Sequence, residues 1–251
     1  MDRARAAVLD ETVTDPVPAG DAPSSTGVDP VLRWRAAADR VCDLVLAVAA
    51  ETPALLEQHV PACPDWTARD LLSHMVGLAT DVLDGDEPDD HNPGWTDRQV
   101  AQRRSRDVTE LVAEWRAHAD DLVAWMREHG SRPLNDVVIH EQDLRGALAR
   151  PGARDTPELG VVRERMADRF AGKVADLPPI ALVGPGWTWA SAGSAEDAPA
   201  RLEADDFDLA RALSSRRTEA QLRSWTVRGD VGPYLPALAG LGDLPATPLP
   251  E

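Results

Sequence analysis

The fold of this chain is decided by two stretches that place ionisable side chains on otherwise apolar helix faces, Leu71-Leu72-Ser73-His74-Met75-Val76-Gly77 and Asp136-Val137-Val138-Ile139-His140-Glu141-Gln142-Asp143-Leu144-Arg145. At about 100° per residue, Asp136, His140 and Asp143 share one helix face within an arc of roughly 60°. Apolar residues border that arc on both sides. The stripe is therefore expected to face the interior of a helical bundle, where its members must pair, take up a proton or bind a cation.

A metal site is one way to satisfy these buried groups. Helix bundles build such sites from inward-facing histidines and carboxylates on different helices. The residues predict His74, Asp136 and His140 as ligands of one divalent metal, with an open coordination position for water or substrate. Asp143 is expected to orient an imidazole or to serve as an alternative ligand.

Two other interpretations remain open at this point. In one, the bound metal is coordinatively closed, with Asp143 as fourth ligand, and the protein is a non-catalytic, metal-stabilised regulatory or ligand-binding bundle. In the other, the bundle holds no metal, and Asp136 and Asp143 only hydrogen-bond to His140.

Composition excludes several classes of partner. Of the 251 residues, 43% are hydrophobic, which is enough for a core, and the formal net charge is −17. So acidic a surface repels nucleic acid and anionic lipid, and neither is expected as a partner. Residues 1–28 lack the continuous apolar segment of a secretory signal, so we expect a cytoplasmic protein with Cys42 and Cys63 reduced.

The pattern predicts a disordered tail over residues 1–28 and a helical bundle over residues 29–154. A helix is expected from Pro30 to about Leu56, followed by a Pro-rich loop at 61–66. The capping-box sequence beginning at Thr67 opens the next helix, which is expected to run to about Leu83. Two further helical stretches are expected, Thr96–Glu128, with a break near Ser105, and Pro133–Arg150.

Residues 155–251 change character and predict a small α+β domain. A helix at 157–175 precedes two strands at 180–183 and 187–190, joined by a Gly-Pro-Gly turn. A third strand is expected at 201–204, with short helices at 206–213, 218–225 and 234–238. The chain is therefore predicted to be mainly α, with a helical bundle followed by a smaller mixed domain.

The segment Pro61-Ala62-Cys63-Pro64-Asp65-Trp66-Thr67 and the helix carrying His74 resemble the DinB-like superfamily, and specifically the mycothiol-dependent maleylpyruvate isomerase family of actinobacteria. Members share this lead-in, a leucine-rich helix with a metal-binding histidine, and a later helix with an acid four residues before a second histidine. The resemblance implies a DinB-like four-helix bundle and the ligand set His74, Asp136 and His140. Residues 209–222 are similar to the family's C-terminal domain, which implies a sterol-carrier-like fold there.

This resemblance implies a metal-dependent enzyme that uses a low-molecular-weight thiol. The metal is expected to be zinc and the thiol mycothiol, in an isomerase or S-transferase acting on a small electrophilic substrate. The sequence departs from the family twice: Asp136 stands in place of glutamate, and Ser214-Ser215-Arg216-Arg217 in place of a glycine-arginine pair. Arg145 and Arg217 are candidates for holding an anionic substrate or thiol.

The remaining reactive side chains are expected to play lesser parts. Cys63, in its Pro-rich loop, is expected to be a small structural apolar residue rather than a nucleophile. The other histidines, which form no recognisable pattern with a second potential ligand, are expected to be solvated: His59, His91, His118 and His129. The residues thus predict metal ligands but leave the catalytic residues open.

Overall fold

The computed structural model describes residues 29–88 and 92–251. The predicted tail at 1–28 and His91 lie outside these residues. The described chain forms two compact units. The first contains the residues up to Ala153 together with Pro250–Glu251, and the second contains Arg154–Leu249. Within the described residues, no helix is both long and apolar enough to cross a lipid bilayer.

The first unit is mainly helical, in agreement with the predicted class. Its helices are α1 (Pro30–Glu51), α2 (Ala68–Asp84), α3 (Pro93–Arg103), α4 (Val108–His129) and α5 (Pro133–Ala147). Helix α1 packs against α4 and α5, and α2 contacts α3, α4 and α5. The core between them includes an edge-to-face pair of Trp34 and Trp115, whose ring centroids are 6.2 Å apart.

Local capping explains where these helices begin. The hydroxyl of Thr67 accepts a hydrogen bond from Asp70 N, and the Asp70 carboxylate accepts one from Thr67 N, which confirms the predicted capping box of α2. The expected break near Ser105 is also present, because Asp107 forms a second capping box and starts α4. Helix α3 begins three residues before the predicted Thr96, since Asn92 caps it and Pro93 occupies its first turn.

The segment between α1 and α2 differs from the prediction. Helix α1 ends at Glu51, and the expected continuation is a short 3-10 turn at Pro53–Glu57. The expected loop is an antiparallel ribbon of β1 (His59–Val60) and β2 (Cys63–Thr67). Only two residues separate β1 from β2, and the pairing of these strands outweighs the weak strand propensity of the Pro-rich segment. The ribbon buries Cys63 and Trp66 beside the start of α2.

The second unit combines helices with a four-stranded sheet. In chain order it contains α6 (Pro157–Lys173), β3 (Ile180–Val183), β4 (Thr188–Ala190), β5 (Ala200–Glu203), α7 (Asp206–Leu213), α8 (Glu219–Ser224), β6 (Thr226–Arg228) and α9 (Leu235–Leu238). The strand order is β4-β3-β5-β6, with β3 and β5 parallel. The predicted hairpin of β3 and β4 is present, whereas β6 was not predicted. The sterol-carrier-like fold stays a prediction.

Cys42, on α1, lies in an environment that suppresses its reactivity. Burial raises the pKa of the Cys42 thiol from 9.0 to about 11, and Asp39 and Asp43 also raise it, although Arg116 opposes the shift. The thiolate is the reactive form. At pH 8 the thiolate fraction of Cys42 is therefore roughly 100-fold below that of an ordinary thiol.

We expect the Cys63→Ser variant, in which Cys42 is the remaining thiol, to react with a disulfide reagent at least about 100-fold more slowly when native than in urea at pH 8, because burial both restricts access and raises the thiol pKa. The native rate should rise about tenfold per pH unit up to about pH 11, because only the ionised thiol reacts. Stopped-flow absorbance measures this rate. A plateau near pH 9 would contradict the buried environment of Cys42.

Candidate metal centre

The structure brings the three predicted ligands together in the interior of the first unit. His74 projects from α2, and Asp136 and His140 project from α5, one turn apart. Their exposed fractions are 1%, 5% and 2%. One ligand atom from each lies within 4.8 Å of the other two. All three therefore direct a potential ligand atom at one small, buried volume.

A hydrogen-bonded chain sets the orientation of His74. The amide Nε2 of Gln99, on α3, donates to Asp81 Oδ2 at 2.8 Å. Because a carboxylate only accepts, this bond directs the amide oxygen of Gln99 toward His74, and Nδ1 of His74 lies 2.7 Å from it. Nδ1 must then carry the proton. The lone pair on Nε2 is left facing Asp136 Oδ1 at 3.2 Å.

Asp143 sets the orientation of His140 in a similar way. Its Oδ2 accepts from Nδ1 of His140 at 3.0 Å. Nε2 of His140 then lies 3.5 Å from Asp136 Oδ1. Among the residues that the structure describes, this buried nitrogen has no hydrogen-bond partner. An orphaned buried imidazole nitrogen is uncommon in a folded protein and indicates a missing proton or cation.

Both histidines therefore direct Nε2 at the same carboxylate oxygen of Asp136. Lone pairs that face one another in a water-poor interior repel, and a proton or a cation between them removes the repulsion. Two imidazoles and one carboxylate form a donor set that zinc accepts, with histidines held through their other nitrogens. The residues present fit a divalent metal.

The β1–β2 ribbon covers this cluster. The Trp66 ring lies 5.0 Å from the His74 ring, centroid to centroid. Cys63 comes close to His140 and Asp143, with one ligand atom from each within 4.8 Å of the others. The Pro-rich lead-in therefore supplies two buried side chains next to the histidines. The sequence predicted Cys63 to be buried but not its place beside this cluster.

The two candidate arginines have partners elsewhere. Arg145 donates to Glu141 Oε1 from Nε and Nη2, at 3.1 and 2.9 Å, and Arg40 binds the same carboxylate. Arg217 is buried in the second unit, where Asp208 Oδ1 accepts from its Nε at 2.9 Å and its Nη2 at 2.7 Å. A role for Arg145 or Arg217 in holding a substrate or thiol stays a prediction.

Sequence reasoning missed Asp81 and Gln99. A signal for Asp81 was available, because it follows His74 by seven residues and so lies on nearly the same face of α2. Gln99 carried no such signal, since it belongs to a different helix. Gln99 can approach α2 because residue 77 is a glycine, since a Cβ on Gly77 would lie 2.5 Å from Gln99 Cβ.

Residues 34–145 match the family model of the mycothiol maleylpyruvate isomerase N-terminal domain. The match covers every member of the cluster just described and most of the first unit. It confirms, for this segment of the chain, the resemblance predicted from the sequence. Residues 154–249, the second unit, lie outside the match. Neither a curated protein nor a solved structure matches the chain.

We expect Gln99→Ala to weaken zinc binding about 10- to 100-fold, because His74 loses the acceptor that sets its tautomer and ring orientation. Gln142→Ala is a matched control. Gln142 is also a buried glutamine, but it donates to the backbone oxygens of Gly152 and Ala153. Competition with a chromophoric chelator measures both affinities. Equal losses in the two variants would contradict a specific role for Gln99.

We expect Gly77→Ala to lower the free energy of unfolding by about 1–3 kcal/mol, because the new methyl group overlaps Gln99 and must displace α3 from α2. Gly160→Ala is the control, since a Cβ there meets nothing within 4 Å. The control should be neutral or stabilise by up to about 1 kcal/mol through helix propensity. Urea unfolding followed by circular dichroism measures both. A neutral Gly77→Ala would show that the close approach of the two helices is not required.

Proposed function

We propose that this protein binds one divalent cation, zinc in the simplest case, through His74, Asp136 and His140. With it, a low-molecular-weight thiol such as mycothiol would act in the isomerisation or S-transfer of a small electrophilic substrate. One observation carries the proposal: Nε2 of both histidines faces Asp136 Oδ1, while both Nδ1 atoms are held by separate acceptors. The family match supports the connection with mycothiol.

The position of Asp143 favours an open site over a closed one. Asp143 contacts Nδ1 of His140, on the side of the ring away from Nε2. In this arrangement it orients the imidazole and does not fill a fourth coordination position. Three protein ligands and one open position are typical of catalytic zinc, whereas four protein ligands are typical of structural zinc. This geometry supports an enzyme over the non-catalytic bundle.

Charge also favours a thiolate as the fourth ligand. Two neutral imidazoles and one carboxylate leave a divalent cation with one net positive charge. In a water-poor interior this charge attracts an anionic ligand. A bound divalent cation lowers the pKa of a coordinating thiol, so that a thiolate is available at neutral pH.

The chain's own residues hold and shield the donors. Gln99 and Asp143 hold the two imidazole rings through their Nδ1 atoms. Trp66 lies against His74 and limits the access of water to that side. The shorter side chain of Asp136 suffices where the family isomerase has glutamate, because its Oδ1 already lies 3.2 and 3.5 Å from the two Nε2 atoms.

A thiolate nucleophile accounts for both proposed reaction types. Addition to an electrophilic carbon of a conjugated acid forms an S–C bond and moves the π electrons toward the carbonyl group. Rotation about the resulting single bond and expulsion of the thiolate complete an isomerisation in which the thiol is regenerated. In S-transfer the thiolate instead displaces a leaving group and stays bound to the substrate carbon.

The test begins with the metal content of the purified protein. We expect about one zinc per chain after reconstitution, and a large loss of zinc affinity in His74→Ala and in His140→Ala, because two of the three ligands are imidazoles. His129→Ala is the control, since His129 is exposed and contacts the ring and the backbone oxygen of Trp125. Wild-type zinc affinity in both ligand variants would overturn the assignment.

A second measurement separates catalysis from metal binding alone. The zinc-loaded protein is incubated with mycothiol and a conjugated cis-configured keto acid, and isomerisation is followed by absorbance. Turnover that needs both zinc and thiol, and that falls at least 100-fold in His74→Ala, supports the enzyme. Stoichiometric zinc with no thiol-dependent turnover on a panel of electrophiles would favour the non-catalytic bundle.

A further inference from the structure

A second set of potential ligands includes His140. It consists of Cys63 from β2 with His140 and Asp143 from α5. All three are buried, and one ligand atom from each lies within 4.8 Å of the other two. Thiolate, imidazole and carboxylate are all ligands of zinc and related cations.

The two sets share only His140. In the first set, the nitrogen that faces Asp136 is Nε2, at 3.5 Å. On the Asp143 side the nearest nitrogen is Nδ1, at 3.0 Å from Oδ2. A neutral imidazole offers one lone pair and keeps a proton on its other nitrogen. His140 can therefore serve one set or the other, but not both at once.

The two sets differ in charge and in softness. The first set contributes one negative charge, from Asp136. The second contributes two, from a Cys63 thiolate and the Asp143 carboxylate, so that a divalent cation there is neutralised. A neutral ion cluster is the cheaper one to bury. Sulfur favours thiophilic cations, whereas the sulfur-free set has no such preference.

We propose that Cys63, His140 and Asp143 form an alternative site for a thiophilic divalent cation such as Cd²⁺ or Co²⁺, and that its occupation excludes metal from the first set. Binding breaks the Cys63 S–H bond, forms a bond from Sγ to the cation, and releases the proton to solvent. The proton on Nδ1 of His140 moves to Nε2, which frees Nδ1 to coordinate. The cation keeps its oxidation state throughout.

This site gives Cys63 a role that burial as a small apolar residue does not. A thiophilic cation held there withdraws His140 from the ligand set used in the proposed function. Cadmium is therefore expected to act as an inhibitor by rearranging ligands, in addition to any direct exchange with zinc. The second site does not rest on the proposed function, because Cys63 and Asp143 coordinate there without His74.

Cobalt provides the test, because a thiolate bound to Co²⁺ gives a near-ultraviolet charge-transfer band that imidazole and carboxylate do not. The metal-free His74→Ala variant, which lacks the first set, is titrated with Co²⁺. We expect a thiolate band that saturates near one equivalent. The band should disappear in His74→Ala/Cys63→Ser and persist in His74→Ala/Cys42→Ser, the matched control for the other buried cysteine.

The outcomes separate the two proposals. A band that survives Cys63→Ser, cobalt bound without any thiolate band, or no cobalt binding by His74→Ala would each overturn the second site. None of these depends on whether His74 holds zinc in the wild-type chain. If the serine variants do not fold, a second measurement on the wild-type protein replaces them: Cd²⁺ should protect Cys63 from alkylation, as measured by mass spectrometry of the peptide that contains Cys63. Equal modification of Cys63 with and without Cd²⁺ would then overturn the second site.

Discussion

The burial of two imidazoles against one carboxylate, between α2 and α5, is the constraint on which the rest of the first unit depends. Polar groups removed from water cost several kcal/mol unless they gain partners of matching chemistry. Here partners are supplied on the outer side of each ring, by Gln99 for His74 and by Asp143 for His140. The inner nitrogens are left pointing at Asp136, in the arrangement that a cation would complete.

Neighbouring elements are placed so that this arrangement can persist. Helix α3 must approach α2 closely for Gln99 to bridge His74 and Asp81, and a glycine at position 77 provides the space. The ribbon before α2 places Trp66 against His74 and brings Cys63 close to His140 and Asp143. A buried polar network is most stable when every member has a partner, and among the described residues Nε2 of His140 is the member of this cluster that a cation would satisfy.

Much of the fold was predictable because its signals are local. Capping boxes act over three residues, and helical periodicity acts over one or two turns, so Thr67 and the face of α5 could be identified directly. The ribbon at residues 59–67 and strand β6 escaped prediction, because each is formed from short strands that are defined by pairing with a partner. Gln99 was missed for the same reason: nothing within α3 marks it as the partner of a histidine 25 residues earlier.

By itself, the sequence determined that the chain is mainly helical, that His74, Asp136 and His140 lie on inward faces, and that this segment resembles a family of thiol-dependent isomerases. Only the tertiary structure decided which nitrogen of each histidine faces inward, that Asp143 holds the outer nitrogen of His140, and that Cys63 lies beside both. The physical reason is that helical periodicity sets the direction of a side chain from its own backbone. Which nitrogen of a histidine carries the proton, and which ligand atoms come close together, depend on atoms that separate helices and strands contribute.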